Sequence, residues 1–309
     1  MPASGRERAV GLLCAALVIV IWSSFIPVSR LGLSGALEPP DLVALRFAVA
    51  GLVTLPLLAR KGTGGLGPRR ALALALTAGI GFSVLAYRGL SLAPASHAAV
   101  LMPGVLPLWT ACLAKLWLRT PLGRLTSIGL GLIAAGVAAM AAATLGGGPA
   151  GQWAGDLCFL GASLSWAVFT VAARAWQVPP LRAATLVAVI SAAFVLPVYL
   201  LVLEPRLAAA PPGEVLFHAV YQGLVVTIVA LVAFTRAVAA LGPAPTAMIT
   251  AAVPVAATLF AVPLLGERPS LVEIAGLALV TAGMLTAVVD AAGPTGRRAR
   301  PTIRRPPAA

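Results

Sequence analysis

The chain has 309 residues, of which 60% are hydrophobic and only 10% are charged. A soluble domain carries about 25% charged residues, so these charges are too few to cover the surface of a soluble protein. Lipid must therefore be the solvent for much of the surface. The formal net charge of +13 does not indicate a nucleic-acid-binding protein. The basic residues separate apolar stretches instead of clustering, which is typical of membrane topology.

Ten apolar segments follow one another along the chain, each close to the roughly 20 residues that a helix needs to cross a bilayer. They are residues 10–28, 41–59, 71–91, 96–117, 125–144, 155–175, 182–203, 214–239, 244–264 and 271–290. The first exceeds the length of a secretory signal core and another segment follows it directly, so we interpret it as a membrane helix. The sequence predicts an all-α integral membrane protein with ten transmembrane helices.

The distribution of Lys and Arg predicts the orientation. With the N-terminus in the cytoplasm, 17 of the 22 Lys and Arg residues lie on the cytoplasmic side, and only Arg30, Arg206 and Arg268 lie outside. Because cytoplasmic loops carry an excess of basic residues, we predict that both termini are cytoplasmic, residues 1–9 at one end and a basic disordered tail of residues 291–309 at the other. The preference for Arg over Lys, with abundant Ala, Gly and Pro, indicates a GC-rich genome, and we predict the inner membrane of a bacterium.

The second half of the chain repeats the first at a nearly constant offset. Trp22 aligns with Trp166, and Pro103 aligns with Pro254. Residues 10–144 and 155–290 are therefore predicted to be two five-helix repeats. Five is an odd number, so the second repeat enters the membrane from the opposite side. Such inverted repeats are typical of transporters that bind substrate near the midplane, between the two halves.

Small residues recur in the fifth and tenth segments and predict close helix packing. They are Gly129, Gly131, Gly136, Gly276 and Gly283. Two alternatives stay open: packing within one chain, or an interface between two copies in a homodimer. The three cysteines lie in apolar segments with no metal-binding spacing, and we predict neither a metal site nor a cofactor.

Three short motifs carry a family resemblance: IWSSF at residues 21–25, ALRF at 44–47 and GERP at 266–269. With these motifs in this order, the sequence resembles the EamA family of the drug/metabolite transporter superfamily. The resemblance implies transport of small organic molecules, with export as the direction. One departure is that residues 118–120 read Leu-Arg-Thr where the first repeat should carry a Gly-Glu-Arg turn.

Polar and aromatic side chains inside apolar segments are costly in lipid and are therefore functional candidates. The candidates for a substrate cavity are Trp22, Arg46, Tyr87, Arg88, His97, Trp166, Tyr221, Gln222 and Thr250, with His218 as a weaker one. Each arginine has an alternative reading, in which its guanidinium extends to the membrane interface. The tryptophans could instead pack within the bundle or lie at the interface.

No Asp or Glu occurs in the middle third of any apolar segment. Coupling to protons would therefore run through His97, since histidine changes charge near neutral pH, or through an end carboxylate such as Glu214. Otherwise transport is facilitated or by exchange, and His97 is a hydrogen-bonded interface residue. Pro103, Pro107 and Pro254 interrupt the fourth and ninth segments and are candidates for helix breaks or gating.

The function predicted from these features is secondary transport of small metabolites or drugs by alternating access, with small solutes and membrane lipid as the only ligands. The alternative is an integral membrane enzyme, or a scaffold that holds a lipid or a protein partner. We expect no enzyme, because the sequence contains no Walker loop, HExxH motif or nucleophile elbow. A cavity between the halves would favour the transporter, and a solid interior the scaffold.

Overall fold

A computed structural model describes residues 5–147, 149–203 and 205–292. These residues form ten helices that are long and apolar enough to cross a membrane. The predicted tail, including the arginines at 297, 298, 300, 304 and 305, lies outside the described residues apart from its first two positions.

The ten helices are numbered in chain order. They are α1 (Gly5–Leu33), α2 (Pro39–Lys61), α3 (Pro68–Leu92), α4 (Ala95–Leu118), α5 (Arg124–Gly147), α6 (Gln152–Ala175), α7 (Pro180–Leu201), α8 (Pro212–Leu241), α9 (Pro243–Thr250 and Val253–Leu265) and α10 (Leu271–Ala292). Several begin with proline, whose fixed φ suits the first turn and whose missing N–H would have had no helical partner there.

Four of the helices are irregular near their middle. π-Helical stretches interrupt α3 at Ala75–Gly81, α4 at Val100–Gly104 and α8 at Ala219–Val229. Pro103 lies in the stretch in α4, and Pro107 lies in the first turn of the α-helical part that follows. Pro254 has the same place in the second part of α9. Proline lacks the N–H that a regular helix needs, so the predicted breaks occur where the prolines are.

Each main contact between helices has an equivalent contact between the counterpart helices of the other repeat. Helix α1 packs on α8 and α9, and its counterpart α6 packs on α3 and α4. Helix α2 packs on its own counterpart α7, and α5 packs on its counterpart α10. This exchange pattern is what two structural repeats around a pseudo-two-fold axis produce. The fold is therefore the predicted all-α membrane bundle of ten helices in two repeats.

Glycines set the distance between α5 and α10. A Cβ added at Gly129 would lie 2.5 Å from the Gly283 carbonyl oxygen, and one at Gly136 would lie 2.8 Å from the Gly276 carbonyl oxygen. The pairing runs in opposite directions along the two helices, so they are antiparallel. Gly131 takes no part, because a Cβ there would meet nothing within 4 Å. Four of the five glycines thus pack within one chain, and Gly131 is not part of this packing.

Candidate functional site

A cavity of about 200 Å³ lies between the two repeats. Five of the candidate residues contribute to its wall: Trp22, Arg46, Pro103, Trp166 and Thr250. The other lining residues are Phe25, Ile26, Phe82, Met102, Leu106, Ser163, Val226, Val253 and Met284. The wall is therefore mostly apolar, with a small number of polar groups, as is usual for sites that bind small organic molecules.

Aromatic rings form much of the cavity wall, and the two tryptophans belong to opposite repeats. The Trp166 ring lies 5.0 Å from the Phe82 ring and 5.4 Å from the Phe169 ring. The Trp22 ring lies 5.3 Å from the Phe234 ring. Neighbouring rings at these distances pack against each other, so these contacts restrict the orientation of each tryptophan.

Arg46 brings a positive charge to this wall. It follows the start of α2 by seven residues, about 10 Å at the rise of a helix, and its side chain is buried, with 6% of the residue exposed. Its guanidinium carbon lies 5.7 Å from the Phe25 ring centre and 5.8 Å from that of Phe82. Nε and Nη1 have no hydrogen-bond partner. The side chain is thus inside the bundle, not extended to the interface.

Three further candidates lie behind the wall and join α1 to α3 and α8. The buried Tyr87 hydroxyl donates to the Gln222 side-chain carbonyl at 3.1 Å, and the Gln222 amide donates to the Ser29 hydroxyl at 2.8 Å. The Tyr221 and Ser24 hydroxyls are 2.7 Å apart. Because these groups satisfy one another, they hold the helices together and are not presented to a solute in this conformation.

Two candidates lie on the outside of the bundle. Arg88 lines a groove of about 680 Å³ together with Glu38 and Tyr199. Phe194 and Val198 on its rim are about half exposed, so the groove faces the lipid. Glu214 lines a separate groove with His218, beside the end of α1. The structure therefore does not bring Arg88 and Glu214 to the cavity or to His97.

His97 is the centre of a polar cluster at one end of the bundle. Its Nδ1 lies 2.8 Å from an Asp156 carboxylate oxygen, and its Nε2 lies 2.8 Å from a Glu273 carboxylate oxygen. The Gln152 amide nitrogen lies 3.2 Å from Nε2 and makes no hydrogen bond to Nε2 when that nitrogen is protonated, because both are then donors. The Thr144 hydroxyl donates to Asp156 at 2.9 Å. Ionised carboxylates only accept hydrogen bonds, so this geometry suits an imidazolium that donates from both nitrogens. We call these five residues the His97 cluster.

The His97 cluster joins the two repeats, because His97 belongs to the first and Asp156 and Glu273 to the second. Beside it, the Glu267 carboxylate accepts hydrogen bonds from the backbone N–H groups of Ala95 and Ser96, at 2.8 and 3.0 Å. A carboxylate there satisfies N–H groups that the helix leaves free and interacts favourably with its dipole. The acid of the GERP motif thus caps α4 of the other repeat.

The two ends of the bundle differ in this acidic cap. The first repeat reads Leu118, Arg119 and Thr120 where the second reads Gly266, Glu267 and Arg268, so the counterpart of the α4 cap lacks its acid. Along α4, every residue from Ala95 to Met102 is buried, whereas the Leu106–Leu118 part contains no buried residue. The cavity lies where this change occurs. The buried first part of α4 lies on the side of the His97 cluster.

Sequence reasoning singled out His97 but missed Asp156, Glu273 and Glu267 as its neighbours. A signal for them was available. His97, Asp156 and Glu273 each lie in the first two turns of a helix, and the predicted topology starts all three helices from the same side. Helices that start on one side bring their first turns to the same depth, so this placement would have limited the possible partners of His97 to the acidic residues at that end of the bundle.

Comparison with known proteins decides the family. A sequence model of the EamA-like transporter family matches residues 9–142 and again residues 153–289. The chain belongs to the EamA-like transporter family. Because the EamA match occurs twice, it also shows that the two halves are copies of one unit.

One solved crystal structure, described only as that of a protein, matches this EamA chain with a TM-score of 0.62 and 23% sequence identity. The match covers 95% of this chain and 99% of the other. At this identity it supports the fold alone. A search of curated proteins found no match.

Proposed function

We propose that this EamA-family chain is a secondary transporter that moves small organic molecules by alternating access. The observation that carries the proposal is the cavity between the repeats, whose wall includes the equivalent tryptophans Trp22 and Trp166. We expect a solid interior for a scaffold, so the cavity favours the transporter. Repeats related by a pseudo-two-fold axis support a mechanism in which the halves rock about a central site.

In the proposed cycle, the described conformation is the one that is closed at the His97 cluster. The predicted topology assigns this end to the outside, so this conformation would receive solute from the cytoplasm. Export is the direction we propose, on the family resemblance. Opening the outer end requires His97 to separate from Asp156 and Glu273, because these residues belong to different repeats. The cluster therefore acts as the outer gate in our proposal.

Reconstitution into liposomes tests the transport function. A thermal-shift screen of metabolites first identifies solutes that stabilise the purified protein, since a ligand that binds only the folded state raises its stability. We expect the best of them to cross proteoliposome membranes, and Trp166→Ala to slow this transport about tenfold or more through lost ring contacts. Trp153→Ala is the matched control, because Trp153 is on the same helix but 55% exposed and outside the cavity wall.

The transport proposal fails if no stabilising solute crosses the membrane, or if Trp166→Ala and Trp153→Ala have equal effects on transport. In the first case the alternative of a membrane scaffold gains support. In the second case the solute does not use the cavity between the repeats.

A second test concerns protons. We expect a pH gradient to drive accumulation of the solute, and His97→Ala to abolish the part that depends on the gradient, because the His97 cluster binds a proton when the gate is closed. Glu214→Gln is the comparison, since Glu214 lies in the separate groove with His218. Accumulation driven by the gradient that survives both substitutions would rule out coupling through these groups.

A further inference from the structure

The charge of the cavity narrows the class of substrate. Among the residues that the structure describes, Arg46 is the only charged side chain in the cavity wall. No carboxylate in the described ranges is within ion-pair distance of it, because the ion pairs there involve His97 and Arg206. A buried arginine without an anion is unusual, since buried charges are normally paired.

The surroundings of Arg46 leave part of its hydrogen-bonding capacity unused. Three phenylalanine rings lie within 6 Å of the guanidinium carbon, those of Phe25, Phe47 and Phe82. The rings attract a cation through their faces but accept no conventional hydrogen bond. The guanidinium also interacts with the Tyr87 hydroxyl, yet Nε and Nη1 remain buried without a partner. Such donors carry a desolvation cost. They have no surface open to the cavity, so an oxygen anion there would compensate the charge of the guanidinium and not bond to these two nitrogens.

The aromatic side chains and the volume of the cavity indicate the shape of the rest of the ligand. The rings of Trp22, Phe82 and Trp166 are suited to the faces of a planar apolar group. The volume of about 200 Å³ is below the roughly 300–1,000 Å³ of pockets that hold drug-sized molecules. A ligand with a single ring and a short side chain that ends in a carboxylate has a size that suits this cavity.

The cavity also discriminates against amines. Its polar side-chain groups other than Arg46 are the hydroxyls of Ser163 and Thr250 and the indole N–H groups of Trp22 and Trp166, and an indole N–H only donates. The Ser163 hydroxyl donates to the Met102 carbonyl at 2.8 Å, and the Thr250 hydroxyl donates to the carbonyl of Thr246 at 3.0 Å. An ammonium group would find no carboxylate in this wall and would be repelled by Arg46. A buried unpaired cation is costly, so amines and zwitterionic amino acids should bind weakly.

We propose that the cavity binds small aryl carboxylates that lack an amino group, with the carboxylate on Arg46 and the ring against Trp22 and Trp166. This inference rests on the proposed transport function and names the substrate class of the same site.

Four probes of similar shape test the inference on the purified wild-type protein. They are phenylacetate, the amine 2-phenylethylamine, the neutral alcohol 2-phenylethanol and the zwitterion phenylalanine. Calorimetry gives the affinity for each probe. We expect phenylacetate to bind about tenfold or more tightly than any of the others, since a hydrogen bond between two charged groups is stronger than one between neutral groups. Equal or tighter binding of the amine or of phenylalanine would overturn the proposal.

The variant Arg46→Gln tests the role of the guanidinium. It should lose phenylacetate affinity about tenfold or more and keep its affinity for 2-phenylethanol. The control is Arg88→Gln, because Arg88 lines the lipid-facing groove instead of the cavity. Unchanged phenylacetate affinity in Arg46→Gln contradicts the proposal. If that variant does not fold, the comparison of the four probes on the wild type still decides.

Binding and transport are measured separately, so the two proposals can fail separately. If phenylacetate binds through Arg46 but does not cross proteoliposome membranes, the site is correct and the transport function is wrong. If other solutes cross while phenylacetate neither binds nor crosses, transport is correct and the substrate class is wrong.

Discussion

Replacing Gly129 by alanine is expected to lower the free energy of unfolding by about 1–3 kcal/mol, the usual cost of an extra methyl group in a tightly packed interior. The added Cβ would lie 2.5 Å from the Gly283 carbonyl oxygen and 2.9 Å from the Ala287 amide nitrogen. Both are backbone atoms, so no side chain can rotate away and α5 must move away from α10. The measurement is thermal unfolding of the purified protein in detergent.

Gly131→Ala is the matched control for this substitution. Gly131 is on the same helix, two residues further along, and a Cβ there meets nothing within 4 Å. Alanine also favours helix over glycine by up to about 1 kcal/mol, so the control variant should be as stable as the wild type or slightly more. If both variants lose the same amount of stability, the added methyl group has the same effect on both faces of α5. The close contact with α10 would then not be the cause of the loss in Gly129→Ala.

Replacing His97 by alanine is expected to cost up to about 3 kcal/mol, toward the lower end of the range for removing one partner of a buried ion pair. Asp156 and Glu273 would lose the cation between them, and their side chains are only 13% and 16% exposed. Two neighbouring carboxylates that remain ionised repel each other and keep their desolvation cost. Thermal unfolding again provides the measurement.

A triple variant separates this charge effect from lost packing. His97→Ala combined with Asp156→Asn and Glu273→Gln removes the cation and both anions while keeping nearly the same side-chain volumes at the two acidic positions. We expect it to recover most of the stability that the single variant loses. A triple variant that is less stable than His97→Ala would show that the carboxylates stabilise the fold independently of His97.

The sequence was sufficient to predict the ten helices, because each needs a long apolar stretch and the loops between them are short. It was also sufficient to predict the two repeats, since the positions of Trp22 and Trp166 survive in both halves. Part of the site followed as well: symmetry indicated that these two tryptophans belong near one axis, and both line the cavity.

The parts of the site that the sequence did not predict depend on the rotation of each helix about its own axis. Apolar segments do not specify this rotation. Segments that are apolar on all sides give no indication of which face a residue such as Arg88 occupies, and Arg88 lies in the lipid-facing groove. The π-helical stretches in α3 and α8 add to the difficulty, because each changes the face on which later residues lie. The partners of His97 were missed for another reason: they are distant in the sequence and lie at the ends of helices.

The unpaired charge of Arg46 makes the electrical state of the cavity depend on its contents. An empty cavity carries one positive charge, and a cavity that holds a monoanion carries none. Moving one elementary charge across a membrane potential of 100 mV corresponds to about 2.3 kcal/mol. In a carrier of this kind, the conformational change that moves the bound anion across the membrane would be electroneutral. The membrane voltage would act instead on the return of the empty carrier, and so set how quickly the next cycle begins.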